Sequence, residues 1–243
     1  MAQTAIILYT VRELDEPLDR IIDRIQEAGY DGVQVSTQVD TDPAQLRETL
    51  DQRGLEHAGR HLSIDALTDD RDTTIAELNV AESDHAVISY IDDEHFESTE
   101  AVERTATMLD DLAEKLDNQS IYLHYHNHAH EFVDLDDQTA YEYLIDLTDV
   151  VGFELDVDWA AAGGADPVSL LERIGSRGPL VHMKDMDVET RTPVELGEGD
   201  VDLAVCARSA HKQGAEWLIY EHDFPDDPVA SLYHGAQFLA DHR

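Results

Sequence analysis

The sequence predicts an α/β fold in which strand–helix units close into a (β/α)8 TIM-type barrel. Short apolar runs of strand length alternate with segments of helical spacing along all 243 residues, and the alternation counts to eight. No Pro-, Ser- or Gly-rich linker, low-complexity tract or close internal repeat interrupts it, so residues 1–243 are read as a single barrel domain. An open doubly wound sheet would use the same alternation; the count of eight favours closure.

The units follow in order. Ala5 to Tyr9 is the first apolar run, and Leu18, Ile21, Ile22 and Ile25 give the next segment helical spacing up to Gly29. Residues 31–36 are the second strand; the helix behind them starts with Pro43 in its first turn and stops at Gly54. Strands are predicted over 55–62, 85–90, 120–126, 150–156, 179–183 and 216–221. Helices are predicted over 71–82, 97–117, 138–147, 167–174, 201–213 and 228–241.

Charge sets the solvent. The chain carries 54 Asp and Glu against 16 Lys and Arg, a formal net charge of -38, and Lys115, Lys184 and Lys212 are its only lysines. The acids are spread along the whole length, so the surface repels itself in dilute buffer, whereas molar salt shortens the Debye length to about 3 Å. A salt-rich cytoplasm is the expected setting. Ordered apolar blocks argue against an acidic disordered chain, and the lack of a basic stripe argues against a nucleic-acid partner. The lone Cys206 excludes a disulfide framework and a cysteine zinc cluster. No apolar run reaches about 18 residues and the start has no basic flank, so no membrane span or leader is expected.

Barrel sites are built at the carboxyl ends of the strands. The polar residues there are Arg12, Gln34, His57 and His61, the run from His124 to Glu131, Asp156 and Asp158, the run from His182 to Asp185, and Glu221 to Asp223. A buried strand accommodates carboxylate, imidazole and ammonium groups at its tip only when each has a partner. Asp156 and His182 end successive parallel strands and can converge. Histidine at every second position in LHYHNHAHEF turns His124, His126 and His128 to one face. For Asp158, helix capping is the simpler reading. For Glu221, after WLIY, metal ligation is preferred to a rim salt bridge. Imidazole and carboxylate without thiolate suit Mn²⁺, Co²⁺, Mg²⁺ or Zn²⁺. Lys184 stands beside His182 in a chain nearly free of lysine, where it would neutralise an oxyanion or pair with Asp185 or Asp187. Gly197 and Gly199 allow a tight loop over the site, and a lone GxG is a weak phosphate signal.

These residues lie in LYTVR (8–12), EAGYDGVQV (27–35), YHNHAHEF (125–132), ELDVDWAAAGGADP (154–167), HMKD (182–185), LGEGDVD (196–202) and YEHDF (220–224). Through these motifs nearly the whole chain resembles the sugar phosphate isomerase/epimerase proteins with a xylose-isomerase-like barrel, which include inosose dehydratases and ketose epimerases. The resemblance implies one divalent metal ion held by an acid after strand five and by Asp156, His182 and Glu221. Glu131 is the nearest carboxylate for the first position, and His126 is the alternative ligand. Gln34 and the strand-five histidines are departures from the ketose epimerases.

The function implied is isomerisation, epimerisation or dehydration of a keto-sugar, sugar phosphate or keto-inositol through a metal-stabilised enediolate. Glu221 and Glu131 are the acid/base candidates, with His126 and His61 as alternatives, and Lys184 the oxyanion partner. Arg12, His61, His128, Trp159 and Asp185 are the candidate substrate-binding residues. Two other readings compete: a phosphodiesterase like the type-IV AP endonucleases, using His57, His61, His182 and His222 around a multi-metal cluster, and a non-catalytic sugar-binding barrel. Barrels of this kind often pair, which makes a homodimer the assembly to look for, although no stretch marks an interface.

Overall fold

The computed structural model describes residues 1–243 and contains a closed barrel of eight parallel strands. The strands are β1 Gln3–Ile7, β2 Gly32–Val35, β3 Glu56–Leu62, β4 His85–Ile88, β5 Tyr122–His126, β6 Gly152–Asp156, β7 Leu180–Met183 and β8 Trp217–Tyr220. Each pairs with its neighbour in sequence, and β1 pairs with both β2 and β8 to close the ring. The principal helices are α1 Leu18–Ala28, α2 Pro43–Arg53, α3 Arg71–Ala81, α4 Thr99–Asp117, α5 Ala140–Leu147, α6 Pro167–Ile174, α7 Leu203–Gln213 and α8 Pro228–His242.

Every predicted unit is present. The sequence reading missed the short helices Ile64–Thr68 and Val157–Ala162, and two hairpins, Asp134–Leu135 with Gln138–Thr139 and Asp185–Asp187 with Thr192–Val194. These pieces are too short to show a period. No helix is long and apolar enough to cross a membrane.

Local chemistry fixes the helix ends. In α1, Ile21, Ile22 and Ile25 face the barrel, and Gly29 ends the helix at φ 95°, a left-handed turn that glycine enters without penalty. α2 starts on Asp42, whose carboxylate accepts from the Gln45 amide, with Pro43 in the first turn. The main apolar core lies between barrel and helices. It includes the outward residues Val33, Leu123, Tyr125, Phe153, Leu155, Val181, Leu218 and Tyr220.

Inside the barrel, apolar packing is confined to a small cluster that includes Ala5, Ile7, Ala58, Val87, Leu180, Trp217 and Ile219. Gly32 makes room for the Trp217 ring, since a Cβ there would lie 2.6 Å from it. Above this layer the inward positions are polar and buried: Gln34, His61, His126, Glu154, Asp156, His182 and Glu221. A barrel interior is normally filled by branched apolar side chains. The polar layer therefore marks the functional end.

Candidate active site

Alternation along β6 turns both Glu154 and Asp156 inward, with Leu155 between them in the outer core. Asp156 is positioned from two sides. Asn127, just after β5, accepts from the Asp156 amide and donates to its carbonyl, at 2.9 and 3.1 Å. The Asp156 carboxylate uses Oδ1 to cap the Val157–Ala162 helix through the amides of Asp158 and Trp159. Its Oδ2 is buried, has no hydrogen-bond partner, and lies 3.9 Å from His126 Nε2.

His182 comes from β7, and its Nδ1 lies 2.7 Å from Glu221 Oε2 at the end of β8. Nε2 on the far side of the same ring lies 2.8 Å from Gln34 Oε1 and 3.2 Å from Glu154 Oε2. Ligand atoms of His126, Asp156, His182 and Glu221 fall within 4.8 Å of one another, and all four residues are buried. A deeper group of His61, His126, Glu154 and His182 meets the same distance condition and shares two of these histidines.

Three carboxylates, Glu154, Asp156 and Glu221, thus meet in one buried layer. Burial pushes Asp156 up to about 7, with Lys184 opposing. For Glu221 burial acts upward too, but the Lys184 charge and the His182 hydrogen bond outweigh it and hold the carboxyl well below its usual range. Burial would keep His182 neutral; Glu154 and Glu221 on either side instead push it up to about 10. Burial lowers His126 to about 4. The orphaned Asp156 oxygen, the surplus of buried carboxylate and the thiolate-free donor set fit a divalent cation held by His126, Asp156, His182 and Glu221.

The cluster opens into a cavity of about 440 Å³ at the carboxyl end of the strands. Tyr9, Tyr90, Trp159 and Phe224 contribute aromatic surface to its walls, and His61, His126, His128, Glu221 and Asp223 their polar groups. No lysine or arginine lines it. The His128 ring packs 5.6 Å from Trp159 and its Nδ1 has no protein partner.

Among the predicted site residues, His61, His126, His128, Asp156, Trp159, His182 and Glu221 come together at this mouth or immediately below it. Lys184 is adjacent but committed: its buried ammonium lies 2.7 Å from Asp223 Oδ2 and over the Trp159 ring, rather than on Asp185 or Asp187. Asp158 caps nothing, and both of its carboxylate oxygens are buried without partners.

Glu131 is the principal correction. It was expected as a metal ligand and acid/base group, but its carboxylate accepts from the Tyr125 hydroxyl at 2.5 Å and the His128 amide at 2.9 Å. Tyr125 is an outward residue of β5, packed on Phe96 and Tyr141, so the bond draws Glu131 into the layer outside the barrel. His126 occupies the strand-five position of the cluster instead. Asp185 does not reach the cavity either: it accepts from the amides of Gly197, Gly199 and Val201 and organises their loop. A Cβ on Gly199 would lie 2.2 Å from Asp185 Oδ1, which explains the glycine.

Arg12 is likewise outside the cavity lining, its guanidinium donating to the carbonyls of Tyr9 and Asp223. His57 and His124 are at the opposite end of the barrel, near His85, and His222 Nδ1 accepts from the Phe224 amide. The multi-metal arrangement of His57, His61, His182 and His222 is therefore not formed. The sequence reading missed Glu154, the deepest carboxylate of the layer, and Asn127. Period two from Asp156 would have found Glu154; nothing local distinguishes Asn127.

A closed parallel barrel with a buried imidazole–carboxylate cluster beneath an aromatic mouth defines the architecture of a TIM-barrel enzyme. The chain belongs to the xylose isomerase-like TIM barrel family, whose model matches residues 22–242. It is 26% identical to an inosose dehydratase of Geobacillus kaustophilus, across 88% of this chain and 82% of that protein. A rhizopine catabolism protein, MocC, of Rhizobium meliloti is 28% identical across 71% of this chain and 58% of that protein. A solved sugar phosphate isomerase/epimerase from Parabacteroides distasonis superposes with TM-score 0.83 at 18% identity, covering 98% of this chain and 94% of that one. An L-ribulose 3-epimerase structure gives TM-score 0.76 at 16% identity, covering 100% and 94%.

Proposed function

We propose that the protein is a metal-dependent enzyme that removes a proton from the carbon beside the carbonyl of a neutral keto-polyol, a keto-sugar or keto-inositol, leading to isomerisation, epimerisation or dehydration. The observation that carries this reading is the convergence of His126, Asp156, His182 and Glu221 directly beneath an aromatic-walled cavity. A divalent ion held by these four residues would supply Lewis acidity toward a carbonyl and its neighbouring hydroxyl.

The chain's own residues supply the rest. Glu221, kept ionised by Lys184 and His182, is the base that takes the carbon-bound proton. Lys184 acts through its charge from within the wall, because its ammonium is already bonded to Asp223. His128 lines the cavity, its ring kept neutral by burial, and is a hydrogen-bond partner for a substrate hydroxyl. Tyr9, Tyr90 and Trp159 line the cavity with aromatic surface suited to the C–H side of a sugar or cyclitol ring.

Two features narrow the substrate and reaction. Arg12 and Lys184 are both spent on protein partners, and no lysine or arginine lines the cavity, so it favours an unphosphorylated substrate. The similarity to inosose dehydratases supports the dehydration outcome.

The test is incubation of the metal-loaded protein with keto-sugars and inososes in D₂O, followed by NMR. Exchange of the proton beside the carbonyl, with or without loss of water, is the expected result. Binding of these compounds with no exchange at any carbon would contradict the reading.

A further inference from the structure

The two histidines of the cluster share an orientation that the four proposed ligands do not explain. His126 directs Nε2 toward Asp156, and its Nδ1 lies 3.0 Å from Glu154 Oε2. His182 directs Nδ1 toward Glu221, and its Nε2 lies 3.2 Å from the same Glu154 oxygen and 2.8 Å from Gln34 Oε1. The inward nitrogens of both rings therefore converge on one carboxylate. His61 Nε2 reaches that oxygen too, at 2.6 Å, and the Gln34 amide donates to the other one. Glu154 has no exposure to solvent.

We infer that Glu154 is a positioning residue for the rings of His126 and His182, holding their protons on the inward nitrogens so that a metal ion binds Nε2 of His126 and takes the place of the proton that His182 Nδ1 shares with Glu221. The inference rests on the reading of His126, Asp156, His182 and Glu221 as the ligand set. The physical basis is general. A neutral imidazole has one N–H and one lone pair, and a carboxylate that accepts from one nitrogen fixes the lone pair on the other and makes it a better donor to a cation. One carboxylate serving two ligands explains why an anion is retained at the centre of a barrel, where an unpartnered charge would be costly. It also assigns the deeper group of His61, His126, Glu154 and His182 a supporting role rather than a second metal site. Its Glu154 oxygen is occupied by ring N–H donors, and Gln34 completes their orientation by accepting from His182.

The experiment is titration of the metal-free protein with Zn²⁺ against a chromophoric chelator, for wild type and Glu154→Gln, together with long-range ¹H–¹⁵N NMR of the zinc-loaded wild type. Zinc affinity should fall about 10- to 100-fold in Glu154→Gln. In the zinc-loaded wild type the ring protons should reside on Nδ1 of His126 and Nε2 of His182. Equal affinity in the two proteins, with wild type binding one ion, would overturn the inference while leaving the ligand set intact. Protons on the opposite nitrogens, with all binding lost in the variant, would make Glu154 itself a ligand and overturn it differently. A wild type that binds no zinc removes the ligand set, and the inference with it. Should Glu154→Gln not fold, the tautomer measurement on the wild type decides alone.

Discussion

His182 Nδ1 and Glu221 Oε2 lie 2.7 Å apart, a contact between the ends of adjacent strands β7 and β8. His182 pairs with Ile219 and Met183 with Tyr220, so the register of the two strands carries Glu221, the first residue past β8, to the His182 ring. The contact joins the proposed base to the proposed metal ligands. Replacing Glu221 with Gln keeps the shape but removes the base. The substrate proton-exchange rate should fall at least about 100-fold, with the circular dichroism spectrum unchanged. Retained exchange would assign the base elsewhere.

Tyr125→Phe separates the corrected position of Glu131 from the one expected. The substitution leaves a buried carboxylate oxygen without its hydroxyl donor, which costs about 1–3 kcal/mol of stability. Because Glu131 lies outside the barrel, exchange per folded molecule should remain close to wild type. Denaturant melts and exchange rates measured on the same preparation check both parts; a large loss of exchange would return Glu131 to the site.

The fold was legible because each unit carried its own period: Ile21, Ile22 and Ile25 on one helix face, and alternating residues along β6. The site was legible where strand ends carried isolated polar groups, as at His182 and Glu221. Glu131 misled because sequence gives its distance along the chain from His126, but not the 3₁₀ turn at His130–Phe132 that rotates it onto Tyr125. Glu154 was overlooked because ELDVD offers three acids and the end of the strand decides which of them face inward. Asp158 sits past that end, on the short helix. Asp185 looked like a site residue beside Lys184, and only the folded loop reveals that three backbone amides occupy it.

At the opposite end of the barrel, His57 accepts from the Gly59 amide through Nδ1, and its Nε2 is buried without a partner. Burial lowers its pKa to about 3, and Arg60, His85 and Arg47 act in the same direction. A ring held neutral in the folded state and titrating near 6.5 when unfolded has no effect at pH 7. As pH falls below about 6.5 toward 3 the unfolded chain takes up a proton that the folded ring does not, so the fold loses about 1.4 kcal/mol per pH unit. His57→Leu should flatten that part of the stability–pH profile between pH 6.5 and 5. An unchanged slope would show that the ring titrates freely.

The net charge of -38 predicts a strong salt response. Surface repulsion is screened at molar ionic strength, so the melting temperature should rise between dilute buffer and molar KCl. A flat or falling melting temperature would contradict the proposed adaptation to a salt-rich interior.

The central claim is that His126, Asp156, His182 and Glu221 form one metal site. It is tested most directly by elemental analysis of protein purified in molar KCl, wild type beside His182→Ala. The account predicts about one divalent ion per chain in the wild type and none in the variant. No ion in the wild type, or an ion retained without His182, would contradict it.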